Sequence, residues 1–198
     1  MAVLIVGHGP GLTGQNRGRE IDAHDIVIRF GDSGYYQKAD DYGVKTDYIL
    51  SGDQRIADVI NIGRVPRETW VYGRPGFRDE ALILSRLRKF NPVICTATDP
   101  WLKRFKELGA TGYSTERAPD PHFSQGMAAI IMAADRLGAK EVKLMGFQAL
   151  LSGDSGNYAS GVNRGRVIRA QHDFAAERKL LDEIVTHYGL KVTDGLSG

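Results

Sequence analysis

The sequence predicts an α/β protein: a single Rossmann-like domain whose mostly parallel sheet carries helices on both faces. Three observations lead there. Short apolar runs alternate along the chain with longer segments whose apolar residues recur at helical spacing, as when each strand is followed by a crossover helix. The runs themselves are nearly continuous in apolar residues, as strands covered on both faces must be. At 198 residues, 42% of them hydrophobic, the chain can build one full core but not a second independent one, so residues 1–198 read as one unit.

In chain order, residues 3–6 (Val-Leu-Ile-Val) make the first strand and run into a glycine-rich turn. Strands follow at 26–30, 47–50, 70–72, 93–96 and 142–147, and residues 190–193 close the sheet. Helices are expected at 54–62, 77–90, 101–108, 124–137 and 168–188. Ser124 is a good N-cap for the strongly apolar fourth helix, and Gly138 stands directly after Leu137, where a helix-ending glycine belongs. Residues 151–166, rich in Gly, Ser and Asn, have too little apolar surface for a rigid element and read as a lid. In the last helix, Phe174, Leu181, Ile184, Val185 and Tyr188 form one stripe at about 100° per residue. Glu177 falls inside that stripe, and His172, at the helix start, points away from it. A carboxylate aimed at the core is costly unless hydrogen bonds or a charge compensate it, so Glu177 should have partners.

Charge excludes little: 26 Lys and Arg against 24 Asp and Glu leave a net +2, which announces neither a nucleic-acid binder nor a membrane-surface protein. The one cysteine, Cys95, sits in a buried-strand pattern and cannot form an intrachain disulfide, which suits a reducing compartment. Residues 1–7 lack the basic start of a signal peptide and turn into glycines too early for a membrane span, so a cytoplasmic location is expected. No His, Cys, Asp or Glu group has metal-ligand spacing, and Asp40-Asp41 reads as a solvated turn beside Gly43.

Three segments could carry ligand chemistry. The glycines after the first strand (Gly7, Gly9, Gly11, Gly14) would let a phosphate or nucleotide approach the backbone. Gly9, Gly11 and Gly14 satisfy G-x-G-x-x-G, with Asp32 near the place of a ribose-binding acid. A dinucleotide fingerprint must open an amphipathic helix, however, and only Ile21 is available for a helical face. At Phe123-Ser124-Gln125-Gly126, a capped helix start with an exposed first turn could receive an anion. Arg164, Arg166 and Arg169 form a basic run suited to phosphate or an acidic sugar.

Taken in order, these pieces resemble the sialyltransferase family, glycosyltransferase family 29. The large sialylmotif is similar to Val3 through about Tyr48: Val-Leu-Ile-Val-Gly-His-Gly-Pro, then Gly18-Arg-Glu-Ile-Asp-Ala-His-Asp-Ile-Val-Ile-Arg29-Phe, then Asp41-Tyr-Gly-Val-Lys-Thr-Asp. The small motif resembles Phe123-Ser124-Gln125-Gly126 through Gly146-Phe147, and the very small motif, a histidine and a glutamate with four residues between them, fits His172 and Glu177. The resemblance implies an inverting, metal-independent transferase that needs no cofactor and uses a CMP-linked acidic sugar, sialic acid or Kdo-like, as co-substrate. It implies that His172 takes the proton of an acceptor hydroxyl, that Gly7, His8, Gly9 and Arg29 belong to the nucleotide side, and that Ser124, Gln125 and Gly126 hold the sugar carboxylate or phosphate through backbone N–H groups. Gly146 and Phe147 would approach the base, and Glu177 would organise the donor site. The chain departs from the family in having His8 and Gly31 where asparagines are usual, in lacking the motif-linking cysteines, and in lacking a third-motif histidine, for which Tyr158, Arg164 or Arg166 would stand in. This fits a short cytoplasmic bacterial or phage-type relative. The acceptor stays open among a glycan, a lipid-linked sugar and a modified nucleobase. Another nucleotide-sugar donor, a non-catalytic nucleotide-binding domain and a NAD-linked oxidoreductase are the competing readings.

Overall fold

The computed structural model describes residues 1–7, 10–31, 38–52, 65–72, 80–111, 121–147, 150–151 and 172–196. Seven strands form one sheet: β1 Ala2–Val6, β2 Val27–Phe30, β3 Tyr48–Gly52, β4 Glu68–Tyr72, β5 Pro92–Ile94, β6 Glu141–Met145 and β7 Lys191–Asp194. Every neighbouring pair is parallel, in the order β5-β4-β3-β2-β1-β6-β7. The chain thus steps outward from β1 to one edge, returns, and continues on the other side of β1. The α/β class, the parallel sheet and all seven expected strands are present.

The described helices are α1 Gly18–Asp22, α2 Ala39–Tyr42, α3 Glu80–Arg86, α4 Asp99–Glu107, α5 Gln125–Leu137 and α6 Phe174–Tyr188. Side chains alternate across the sheet. Val3, Ile5, Ile28, Phe30, Leu50, Trp70, Tyr72, Val142 and Leu144 share one large core with α4, α5 and α6. Leu4, Val6 and Val27 pack with Leu12, Ile21 and Tyr42, and Ile49 and Val71 with Ile83 and Leu87, on the opposite face. Helix α5 is buried from Gly126 through Ala134, which is why its sequence is apolar all round and not amphipathic.

Several boundaries move for identifiable reasons. The strand expected at 93–96 stops at Ile94 because Cys95 enters a 3₁₀ turn, Thr96–Thr98. The strand expected at 142–147 stops at Met145 because Gly146 takes φ +79. The helix expected from 77 is described from Glu80 and breaks into a 3₁₀ turn at Arg88–Phe90 before left-handed Asn91. The helix expected from 168 starts only at Phe174, because Asp173 leaves the helical region (ψ 77) and its carboxylate accepts the Ala176 N–H. The helix expected at 54–62 lies outside the described residues, as does the lid beyond Leu151.

Cys95 is in the core, and burial, with Asp99 nearby, pushes its thiol up to about 12, so it is an inert packing group at neutral pH.

Helices α1 and α2 have no counterpart in the sequence reading. Asp40-Asp41, read there as a solvated turn, lies in α2. Neither helix is long enough to be stable alone; they hold because they touch. A methyl on Gly18 would run into the carbonyl oxygen of Ala39 and stand 2.7 Å from that of Asp40, both backbone atoms that cannot swing aside. Asp22 accepts the N–H groups of Val44 (2.8 Å) and Lys45 (2.7 Å), and Asp41 those of Gly14 (2.8 Å) and Asn16 (3.0 Å). Gly18→Ala should therefore destabilise the protein by about 3 kcal/mol, and a thermal melt within a degree or two of the wild type would contradict this packing.

Candidate functional site

The crevice that matters is at the carboxyl ends of β1 and β6, where the strand order reverses. In open parallel sheets, that switch point leaves a gap between loops leading to opposite sides. Gly7 follows β1 and Gly146-Phe147 follow β6. The N-terminus of α5 faces them, and that of α6 joins α5 through side chains.

At the floor lies Phe147. A methyl on Gly7 would stand 2.6 Å from the Gly146 carbonyl oxygen and 2.8 Å from the Phe147 ring, and one on Gly126 would stand 2.6 Å from the same ring. The buried ring is therefore held between two glycines, with Phe30 set edge-on at 6.0 Å. The side-chain space beside both glycines is thus filled by Phe147, and the Gly7 N–H already donates to the Met145 carbonyl (2.7 Å). Phe147 is likewise a packing group, its carbonyl accepting from Leu151 (3.1 Å).

Above the ring, Ser124 caps α5. Its hydroxyl oxygen accepts the Met127 N–H at 3.4 Å and its O–H donates to Glu177 Oε2 at 2.7 Å, while its N–H donates to Glu177 Oε1 at 2.8 Å. The expectation of a buried, hydrogen-bonded Glu177 is met: the side chain is fully buried. Burial pushes its carboxyl up to about 7, against the two Ser124 bonds, which lower it, and with a smaller upward contribution from Asp173. Because the Ser124 amide is committed to Glu177, the backbone donors left at this helix start are those of Gln125 and Gly126, which have no acceptor among the described residues.

His172 is near the same carboxylate. Its Nδ1 is buried 3.6 Å from Glu177 Oε1, while the side chain as a whole is 26% exposed. The ring also sits 5.5 Å from that of Phe174. The sequence reading placed His172 inside the helix and facing away from Glu177. The later helix start frees it to fold back toward that residue. A partly exposed imidazole whose Nδ1 faces a carboxylate has the chemistry of a proton acceptor.

Arg29 is not in this group. Its side chain is completely buried on the other face of the sheet, where Nε donates to the Lys45 carbonyl (2.7 Å) and Nη2 to that of Tyr42 (2.6 Å), with Asp22 at 3.9 Å. Successive side chains on a strand point to opposite faces, so between Ile28 and Phe30 of the large core Arg29 is turned to the other face, where it supports residues 42–45. His8, Gly9, Asp32, Tyr158, Arg164 and Arg166 lie outside the described residues. Where a dinucleotide fingerprint would open a helix, the chain makes a 3₁₀ turn, Pro10–Leu12. Among the described residues no group of three His, Cys, Asp or Glu could hold a metal ion, and no helix is long and apolar enough to cross a membrane. Sequence reasoning missed Asp173, although an Asp directly before an apolar helical stretch is a recognisable capping signal.

No protein-family model matches the chain. A curated protein of Oryza sativa subsp. indica, sialyltransferase-like protein 2, is 29% identical over 175 residues, which cover 72% of this chain and 43% of the rice protein. The chain thus spans less than half the length of that relative. A crystal structure of a mammalian sialyltransferase superimposes with a TM-score of 0.56 at 17% identity, covering 96% of this chain and 68% of the other. A mammalian sialyltransferase in complex with Gal-beta-1-3GalNAc-ortho-nitrophenol gives 0.50 at 15% identity with the same coverage. The chain therefore has a sialyltransferase-like fold, and in sequence it is similar to a sialyltransferase-like protein.

Proposed function

We propose that this protein is a glycosyltransferase that moves a sugar, sialic acid or Kdo-like, from a CMP-linked donor to a glycan hydroxyl with inversion at the anomeric carbon. The observation that carries the reading is the position of His172, held beside buried Glu177 and the start of α5 at the switch-point crevice. Nε2 of His172 takes the acceptor's proton as its oxygen bonds to the anomeric carbon. The bond from that carbon to the phosphate oxygen breaks, and CMP leaves with the electron pair. A single base and a single displacement suffice, which is why inversion is expected. The leaving phosphate or sugar carboxylate is received by the Gln125 and Gly126 amides at the positive end of α5. His8 and Gly9 are assigned to the nucleotide, and Tyr158, Arg164 and Arg166 to the phosphate. Neither metal nor cofactor is part of this scheme. The likeness to a relative crystallised with a disaccharide derivative supports a glycan acceptor. A single buried thiol supports a reducing, cytoplasmic setting.

Calorimetric titration with CMP, UMP and GMP tests the donor side: CMP should bind most tightly, and transfer from CMP-linked sugars should survive EDTA. Equal indifference to the three nucleotides would overturn the reading, and loss of activity with EDTA that magnesium restores would overturn its metal independence.

A further inference from the structure

The residue after His172 makes more contacts than a helix cap requires. Asp173 Oδ1 accepts the Ala176 N–H at 3.0 Å, which is the cap itself. Its Oδ2 accepts the Thr111 N–H at 3.1 Å and the Thr111 hydroxyl at 3.4 Å, across 62 positions of sequence. Burial alone would raise this carboxyl, but the Ala176 and Thr111 bonds outweigh it and hold the group below its ordinary range, so it is ionised and accepts all three bonds at neutral pH. Thr111 is exposed but directly follows buried Ala110, whose N–H donates to the Phe105 carbonyl of α4 (3.4 Å), so its backbone is joined to the core at that point. One turn further along α6, Glu177 binds Ser124. Asp173 and Glu177 therefore tie the start of α6 to two other parts of the chain.

We propose that Asp173 is a positioning residue for the transfer reaction: by holding Thr111 as well as the end of α6, it sets where the His172 imidazole stands over the crevice. The inference rests on the glycosyltransferase reading above. An attachment that fixes a general base contributes to rate and not to ground-state affinity, because a displacement of about 1 Å at the reacting groups is felt mainly in the transition state.

Asp173→Ser separates the two contacts. Serine caps a helix as well as aspartate, but its single oxygen cannot serve Ala176 and Thr111 together. The expected result is a melting temperature within a few degrees of wild type, unchanged CMP affinity, unchanged KM and a kcat lower by on the order of 10- to 100-fold. The ¹⁵N shifts of the His172 ring should also move in the variant without any substrate. Asp173→Asn, which keeps a capping oxygen but turns a second donor toward Thr111, should do the same and serves if the serine variant unfolds. Wild-type kcat and unmoved ring shifts in a folded variant would overturn the inference while leaving the function standing. Failure of the wild type to bind CMP, or full activity in a variant lacking His172, would instead remove the reading beneath it.

Discussion

His172→Ala should abolish measurable sugar transfer while leaving the fold and nucleotide affinity close to wild type. A positioned general base contributes 10²–10⁴-fold, about 3–5 kcal/mol of barrier, and alanine can neither accept the proton nor route it elsewhere. The binding side should be spared because the donors assigned to the anion, the Gln125 and Gly126 amides, belong to α5 and its Ser124 cap, which are held by Glu177 and not by His172. The ring is partly exposed and outside the core, so its loss should cost little stability. In the wild type, activity should fall as pH is lowered, since a protonated imidazole cannot take a proton. Calorimetry and initial rates on the same preparation check both halves: product formation at the wild-type rate would end the base assignment.

Loss of Glu177 should have the largest effect on stability. Glu177→Ala leaves the Ser124 N–H and hydroxyl without their acceptor in a buried site and opens a cavity beside the start of α5, together costing about 3 kcal/mol or more and lowering the melting temperature by roughly 10 °C. Glu177→Gln should be milder, because the amide oxygen can still accept the Ser124 N–H. The two variants also differ from wild type in pH dependence. Burial raises the folded-state pKa of Glu177 to about 7, against 4.5 for the free group. The folded protein therefore keeps a proton that the unfolded chain releases between those values. This contribution is fully present below about pH 4.5, is lost as pH rises through 7, and changes no further above that. Among the described residues, the groups that act on this carboxyl are Ser124, His172 and Asp173. Wild type should gain stability relative to Glu177→Gln as pH falls from 7.5 to 5, by on the order of 2–3 kcal/mol. A constant difference in melting temperature across that range would show that Glu177 is ionised throughout.

Much of the fold was legible because a parallel sheet covered on both faces imposes a simple rule. Each strand must be apolar along its length, so runs such as Val3-Leu4-Ile5-Val6 declare themselves without reference to their neighbours. Local chemistry likewise marked α5, with Ser124 at its cap and left-handed Gly138 after its end. Four- and five-residue helices have no period to detect, and α1 and α2 exist only because Gly18 lets their backbones meet. At the crevice the helical stripe placed Glu177 in the core, since 100° per residue is a local property. Its partner, Ser124, comes from 53 positions away and had no such signal.

The amino-acid order by itself thus determined the class of fold, the strands and the burial of Glu177, all of which follow from polarity at fixed local periods. Tertiary packing alone decided that a phenylalanine fills the space beside Gly7 and Gly126, that Arg29 serves the far face, and that His172 turns back toward Glu177. Those outcomes depend on which distant segments arrive at the same point, and a hydrogen bond or a steric contact acts over a few ångströms however many residues separate its partners.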